Sequence, residues 1–213
     1  MFGSFRAYYS SDVFITPATN KTSIEQTGTI VEVVKSLPEV EGISVRYTSS
    51  GTLEYGYQTK VRSSDKSESA GGTLTGIDPE SEDSVTKMSS KIVGGTFLTS
   101  EDSDSVVIGS SLTNRYATSG PGASISDNVL KNADVGSRVR LSVNGIQKEV
   151  IIKGVVSTGN TAMDGRIYIT DTVFRNLVEN DSLNADEIAV KLKPDISPES
   201  AKSYIVKSLN NNP

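Results

Sequence analysis

The side chains with the widest chemical options lie in two acidic runs, Asp78, Glu80, Glu82 and Asp83, then Glu101, Asp102 and Asp104. Carboxylates at this density suit a hard cation such as calcium, which is bound through oxygen ligands. The spacing argues against it, because neither run carries the D-x-[DN]-x-[DN]-G loop with a distal Glu. Charge runs of this size ordinarily face water, so both are expected to be solvated loops. Paired carboxylates for glycoside hydrolysis would have to converge from separate segments of the fold. Ser84 and Lys87 have the Ser-x-x-Lys spacing in which a desolvated lysine can act as base for a serine nucleophile. In a chain so rich in serine, that match arises readily by chance. The expected set of catalytic, cofactor-binding and metal-ligating residues is therefore empty, and no cofactor is expected.

Two absences narrow the chemistry further. The chain has no His and no Cys, the side chain that titrates near neutral pH unaided and the readiest thiolate. Ser-His-Asp triads, Cys-His dyads, His-ligated zinc and iron–sulfur centres are excluded. The glycines at Gly71-Gly72, Gly94-Gly95 and Gly120-Pro121-Gly122 form neither G-x-x-x-x-G-K-[ST] nor a strand-following G-x-G-x-x-G, and are expected to be turns. Asn20-Lys21-Thr22 and Asn180-Asp181-Ser182 match the glycosylation sequon, a pattern that plain surface loops also produce. Tyr8, Tyr9, Tyr55 and Tyr57 fit an interaction surface and half-buried strand positions equally well.

These groups must be positioned by a chain of 213 residues, room for one large domain or two lobes sharing a core. Hydrophobic residues at 35% and charged residues at 22% can build a core and disfavour disordered or collagen-like states. Apolar runs such as Val106-Val107-Ile108 stop far short of a bilayer span, so the chain as it stands is expected to be soluble. A net charge of −5 and a pI near 4.9 leave no broad basic surface for nucleic acid or anionic lipid, and neither is an expected partner. The opening Met1-Phe2-Gly3-Ser4-Phe5 lacks the cationic start and apolar centre of a secretion signal. Its aromatics suit either a frayed terminus or a segment beside a membrane.

Local patterns set out the elements. Asp12-Val13-Phe14-Ile15-Thr16 reads as a strand. Ser23 and Gln26 form a capping box ahead of a helix with Ile30, Val31, Val34 and Leu37 on its face, closed by Pro38. Val40, Ile43, Val45 and Tyr47 begin a long strand running toward Tyr57 and Val61. Residues 63–72 read as a loop, Thr73-Leu74-Thr75-Gly76-Ile77 as a strand, and Asp78-Pro79 as a turn. After Lys91-Ile92-Val93-Gly94-Gly95, Val106-Val107-Ile108-Gly109 reads as a buried strand, with Ser110 or Ser111 capping a helix that carries Leu112 and Tyr116. Val139, Leu141 and Val143 alternate into Asn144-Gly145, the residues of a type I′ turn, and Ile146 to Val156 return, a pattern that one face packed on a core explains without a ligand-binding barrel. Ile167-Tyr168-Ile169 leads to a helix with Val173, Phe174, Leu177 and Val178. Ile188-Ala189-Val190-Lys191-Leu192 alternates as a strand, and Ser197-Pro198-Glu199 opens a last helix with a cap, a proline and an acid. Ala201, Tyr204, Ile205 and Leu209 are its expected buried stripe.

The fold class is therefore α/β of the α+β kind. The strand and helix at the far end mirror the strand–helix–strand at the start, so the two ends are expected to share one sheet with the middle inserted between them. The partner strand of a complete split-βαβ layout is missing after Asn210, as if the chain were trimmed.

In order along the chain, Asp12-Val13-Phe14-Ile15-Thr16-Pro17, Leu37-Pro38-Glu39-Val40-Glu41-Gly42-Ile43, Leu74-Thr75-Gly76-Ile77-Asp78-Pro79, Ile92-Val93-Gly94-Gly95-Thr96-Phe97-Leu98, Val107-Ile108-Gly109-Ser110-Ser111-Leu112 and Val135-Gly136-Ser137-Arg138-Val139-Arg140-Leu141 carry a family resemblance. Together with Ile152-Lys153-Gly154-Val155-Val156 and the closing 188–192 strand, they resemble the MacB-like periplasmic core domain, the extracytoplasmic part of MacB/FtsX-type ABC transporter permeases. The resemblance implies a Porter-like βαβ lobe from residues 1–66 and 183–213 and an inserted, mixed α/β Sabre-like lobe of residues 67–182. It implies a domain between the first and second of four transmembrane helices, outside the membrane. It also implies a non-enzymatic mechanotransmitter that relays ATP-driven helix movement to export or extraction of substrate. The implied partners are a cognate ABC ATPase subunit, a second permease copy in a membrane dimer, and an accessory or adaptor protein or a peptide or hydrophobic substrate. The loop of residues 116–132 is longer than the family's usual one, so docking residues do not carry over. The alternative is a free secreted or surface-anchored ligand-binding module; an enzyme using Ser84, Lys87 or an acidic pair stands third.

Overall fold

The computed structural model describes residues 11–59, 67–117, 128–178 and 184–210. Along the chain these form β1 (Val13–Ile15), α1 (Thr27–Lys35), β2 (Val40–Tyr55), β3 (Glu68–Ile77), α2 (Pro79–Thr86), β4 (Ile92–Gly95) and β5 (Ser105–Gly109). They continue with β6 (Arg138–Val143), β7 (Ile146–Val156), α3 (Thr161–Asp164), β8 (Arg166–Thr170), α4 (Asp171–Val178), β9 (Glu187–Leu192) and α5 (Pro198–Asn210). The chain divides into two compact units, one of Met1–Thr48, Ile77–Lys87 and Asp181–Pro213, the other of Ser49–Gly76 and Met88–Asn180. The expected lobes of residues 1–66 with 183–213 and of 67–182 have different bounds. Residues 49–66 fall in the second unit because β2 continues without a break past Thr48, and 77–87 fall in the first because α2 is bonded to the first unit's strands.

The first unit is built from both chain ends. β9 lies between β1 and the first half of β2 and is antiparallel to both, with Val13 opposite Val190 and Val45 opposite Ile188. Its α1 starts at Thr27, not at the expected Ser23/Gln26 box. Gln26 holds a left-handed φ of 56° and makes no side-chain cap, while Ile24 is drawn off into a bridge with Ala185. The Thr27 hydroxyl donates to the Ile24 carbonyl at 2.6 Å and accepts from Ala185 N at 2.8 Å. α5 opens as expected, with Ser200 N donating to Ser197 Oγ at 3.2 Å and Pro198 at the first helical position. Ala201, Ile205 and Leu209 are buried, but Tyr204 is 53% exposed and not part of the stripe.

In the second unit the strands close on themselves. The order is β2, β3, β8, β5, β7, and β6 then pairs with β7 on one side and with the second half of β2 on the other. β5 and β7 are parallel, β5 with β8, β6 with β7 and β6 with β2 are antiparallel, and β4 adds antiparallel to β7. The hairpin of β6 and β7 is thus part of a closed barrel, although its alternation needs only one buried face. Closure removes strand edges, and a ring this small is filled by side chains. Leu53, Leu74, Leu141, Ile152 and Ile167 are wholly buried there. The hairpin turn is as expected, with Asn144 and Gly145 at φ 48° and 85°.

Several expected loops are ordered elements. Gly71 and Gly72 lie in β3 and Gly94 and Gly95 in β4, not in turns. Gly72 faces the Gly165 carbonyl, which a Cβ would approach to 2.5 Å, so the strand keeps glycine for a close backbone approach. Asp78-Pro79 starts α2 instead of a turn. The expected helix after Ser110 is a single 3₁₀ turn of Ser110–Leu112, which leaves Tyr116 outside it. The strand from Val40 stops at Tyr55, before Tyr57. Val61, Tyr8, Tyr9, Asn180 and Gly120 to Gly122 lie outside the described residues.

Candidate functional site

The first acidic run resolves into a helix with a buried charge. Asp78 is the N-cap of α2 and accepts from Ser81 N at 2.8 Å, Pro79 occupies the first turn, and Glu80 faces solvent. Helical spacing then turns Glu82 inward, where it is wholly buried. It meets Arg46 of β2, also wholly buried: Arg46 Nε donates to Glu82 Oε2 at 2.9 Å and Nη2 to Oε1 at 2.7 Å, a two-pronged pair. Ser44 Oγ donates to the same Oε2 at 2.7 Å. A third nitrogen, Arg46 Nη1, reaches Glu187 of β9 at 3.4 Å, and the guanidinium lies 5.1 Å from the Phe14 ring centroid. Burial by itself would raise the Glu82 pKa, but the Arg46 charge and the bonds from Arg46 and Ser44 outweigh it and hold the carboxyl below its ordinary value. Asp186, half-buried, accepts from Thr48 N at 2.5 Å. Burial, with the Glu187 charge adding to it, raises its pKa in spite of that bond.

The solvated-loop reading of this run is therefore corrected for Glu82. The missed signal lay in Asp78-Pro79-Glu80, a cap, proline and acid in the same order as the Ser197-Pro198-Glu199 that opens α5. Nothing local marked Arg46, whose role is set by a partner 36 positions away. In the second acidic run, Glu101 and Asp104 are exposed, while Asp102 accepts from Lys153 Nζ at 2.5 Å and from Thr99 N at 2.7 Å. Burial raises the Asp102 pKa, but these bonds prevail and lower it. The two runs do not converge on a metal: among the described residues no three of His, Cys, Asp and Glu are placed to hold one.

The Ser84 and Lys87 pair is not set up for nucleophilic chemistry. Ser84 Oγ donates to the Ser81 carbonyl at 2.8 Å within its own helix, and Lys87 is the C-cap, at a left-handed φ of 54°. Tyr57 is half-buried and donates to Glu149, which also pairs with Arg138, and Arg140 stands 4.8 Å from the Tyr57 ring while pairing with Glu54. Asn20 is exposed in a turn with a φ of 68°. A cleft of about 610 Å³ in the second unit is lined by Ser50, Thr52, Thr73, Thr161 and Arg166 with glycine backbone between them. It offers hydroxyls and one guanidinium, and no carboxylate stands among its lining groups to act as a base.

The family model of the MacB-like periplasmic core domain matches residues 2–208. The chain belongs to that family. The periplasmic region of MacB from Actinobacillus actinomycetemcomitans superposes with a TM-score of 0.54 at 18% identity, over 90% of this chain and 75% of that one. The extracellular domain of the noncanonic ABC-type transporter YknZ from Gram-positive bacteria superposes at 0.56 and 14% identity, over 92% and 90%. At these identities the two structures speak for the fold. No curated protein matches in sequence. A MacB-like periplasmic core is the extracytoplasmic domain of a MacB/FtsX-like ABC transporter. Among the described residues no helix is long and apolar enough to cross a membrane.

Proposed function

We propose that this MacB-like core is a mechanotransmitter: it relays ATP-driven movement of its permease's transmembrane helices to export or extraction of substrate outside the membrane, and performs no bond chemistry itself. The observation that carries the proposal is the antiparallel pairing of β1 with β9, which gathers both chain ends into one unit. Movement delivered to either end reaches the same strand ladder. The first unit takes the part of the Porter-like lobe and the second that of the Sabre-like lobe. ATP hydrolysis belongs to a separate ATPase subunit or domain, and a second permease copy completes the transporter. An accessory protein or a peptide or hydrophobic substrate is the partner outside the membrane. The reading as a free ligand-binding module draws on the hydroxyl-lined cleft, and measurable ligand affinity by the isolated chain would support it.

The chain contains no cysteine, so two introduced ones, before Val13 and after Leu209, would be unique labels within it. Joining them by a short bifunctional crosslinker in the reconstituted parent transporter should leave ATP hydrolysis running and reduce export at least tenfold, roughly 1.4 kcal/mol of lost coupling. Export at the uncrosslinked rate would refute the proposal.

A further inference from the structure

We infer that α2 is a detachable clasp, held on the first unit's strands chiefly by the Arg46–Glu82 ion pair and therefore the first element of that unit to open. This stands on the first unit alone and does not depend on the transport reading. The helix has little apolar surface with which to dock. Its buried residues are Pro79, Glu82, Val85 and Thr86, and the Val85 side chain joins Phe14 and Ala189 in a small cluster. An eight-residue helix of this composition has no standing of its own in water.

The bidentate pair, with Ser44 and Glu187 completing it, supplies the specificity that packing does not. A buried pair is a near balance of two large quantities, the attraction gained and the hydration lost. When one partner is deleted, the other is stranded in the interior. When the whole helix lifts away, both ions regain water together, which offsets much of the attraction given up. Docking by charge is thus close-fitting and reversible at once. Gly42 of β2 completes the seat, since a Cβ there would lie 3.3 Å from Val85 Cγ2 and 3.5 Å from Ser84 Oγ. The chain route keeps the opening local. Residues 77–87 enter and leave the first unit as one excursion, and the β1–β9–β2 ladder contains no residue of it.

Native-state hydrogen exchange on the full chain in low urea tests this. In the wild type, α2 amides should exchange with little urea dependence, the mark of a local opening, while β9 amides follow the urea dependence of unfolding. Glu82→Gln weakens the closed state against local opening and unfolding alike, so it should speed α2 exchange at least about a hundredfold with its urea dependence still small, and β9 exchange by a comparable factor with its full urea dependence kept. Gly42→Val should give the same signature with both charges in place. The double variant Arg46→Met/Glu82→Leu should slow α2 exchange below its wild-type rate, because an apolar pair gains nothing from water on release. Equal urea dependence of α2 and β9 in the wild type overturns the inference. So does α2 exchange in Glu82→Gln no faster than in the wild type, failure of that chain to fold, or an apolar pair that leaves α2 exchange unchanged.

Discussion

At the scale of single residues, the two carboxylates around Arg46 and Thr48 respond to acid in opposite senses. Glu82 has a folded pKa below its ordinary value of ~4.3, so the stability it lends is complete above that value and is lost as pH falls through the folded pKa. Asp186 has a raised folded pKa, so its protonation favours the folded chain and its ionised form detracts from stability above that pKa. Urea titrations from about pH 3 to pH 7 should therefore show an acid limb that Glu82→Gln flattens. The same variant should lose about 3–5 kcal/mol near neutrality by leaving Arg46 buried beside an uncharged partner. Asp186→Asn, whose carbonyl can still accept from Thr48 N, should leave that limb in place and raise the neutral-pH midpoint. An acid limb in Glu82→Gln as steep as in the wild type would show that other carboxylates govern it.

Elements were legible where the signal was local. The β6–β7 hairpin follows from alternation and an Asn-Gly turn, and α5 from Ser-Pro-Glu with a helical stripe. α2 escaped because its residues present no apolar periodicity; the partner that turns Glu82 inward lies on another strand. The first half of β3 escaped because glycine pairs ordinarily bend a chain, whereas here Gly72 admits the Gly165 carbonyl from across the unit. Barrel closure escaped for the same reason, since the pairing of β6 with β2 joins residues 86 positions apart, as Arg140 and Glu54 show. The expectation of an empty catalytic set rests on composition alone: with no His and no Cys, few nucleophile–base pairs are available to assemble.

Gly109 tests how tightly the short helix α3 closes on β5. A Cβ at this position would sit 2.1 Å from the Asp164 carbonyl oxygen and 2.3 Å from its carbon, both backbone atoms with no rotamer to yield. Asp164 is fixed in turn by accepting from Thr158 N at 2.7 Å and Gly159 N at 3.1 Å. Gly109→Ala should cost about 1–3 kcal/mol or more by overpacking, seen as a lower urea midpoint with an unchanged slope. A midpoint equal to the wild type would mean that the 158–165 segment gives way freely.

For the molecule as a whole, each unit has its own buried set, with Val13, Ile188 and Ile205 in the first and Leu53, Leu141 and Ile167 in the second. Leu141→Ala removes a wholly buried side chain and should destabilise the second unit by about 2–5 kcal/mol. Amides of β5, β7 and β8 should lose protection while those joining β1 to β9 keep theirs, as read by hydrogen exchange. Equal losses in both sets would indicate one cooperative body.

The central place of β9 in its ladder also bears on biosynthesis. β1 and the first half of β2 both pair with residues 187–192, so neither can complete its hydrogen bonds until nearly the entire polypeptide has left the ribosome. A nascent chain stalled before that point carries two strands with an open edge exposed to whatever lies near the exit tunnel, and early termination forfeits the unit outright.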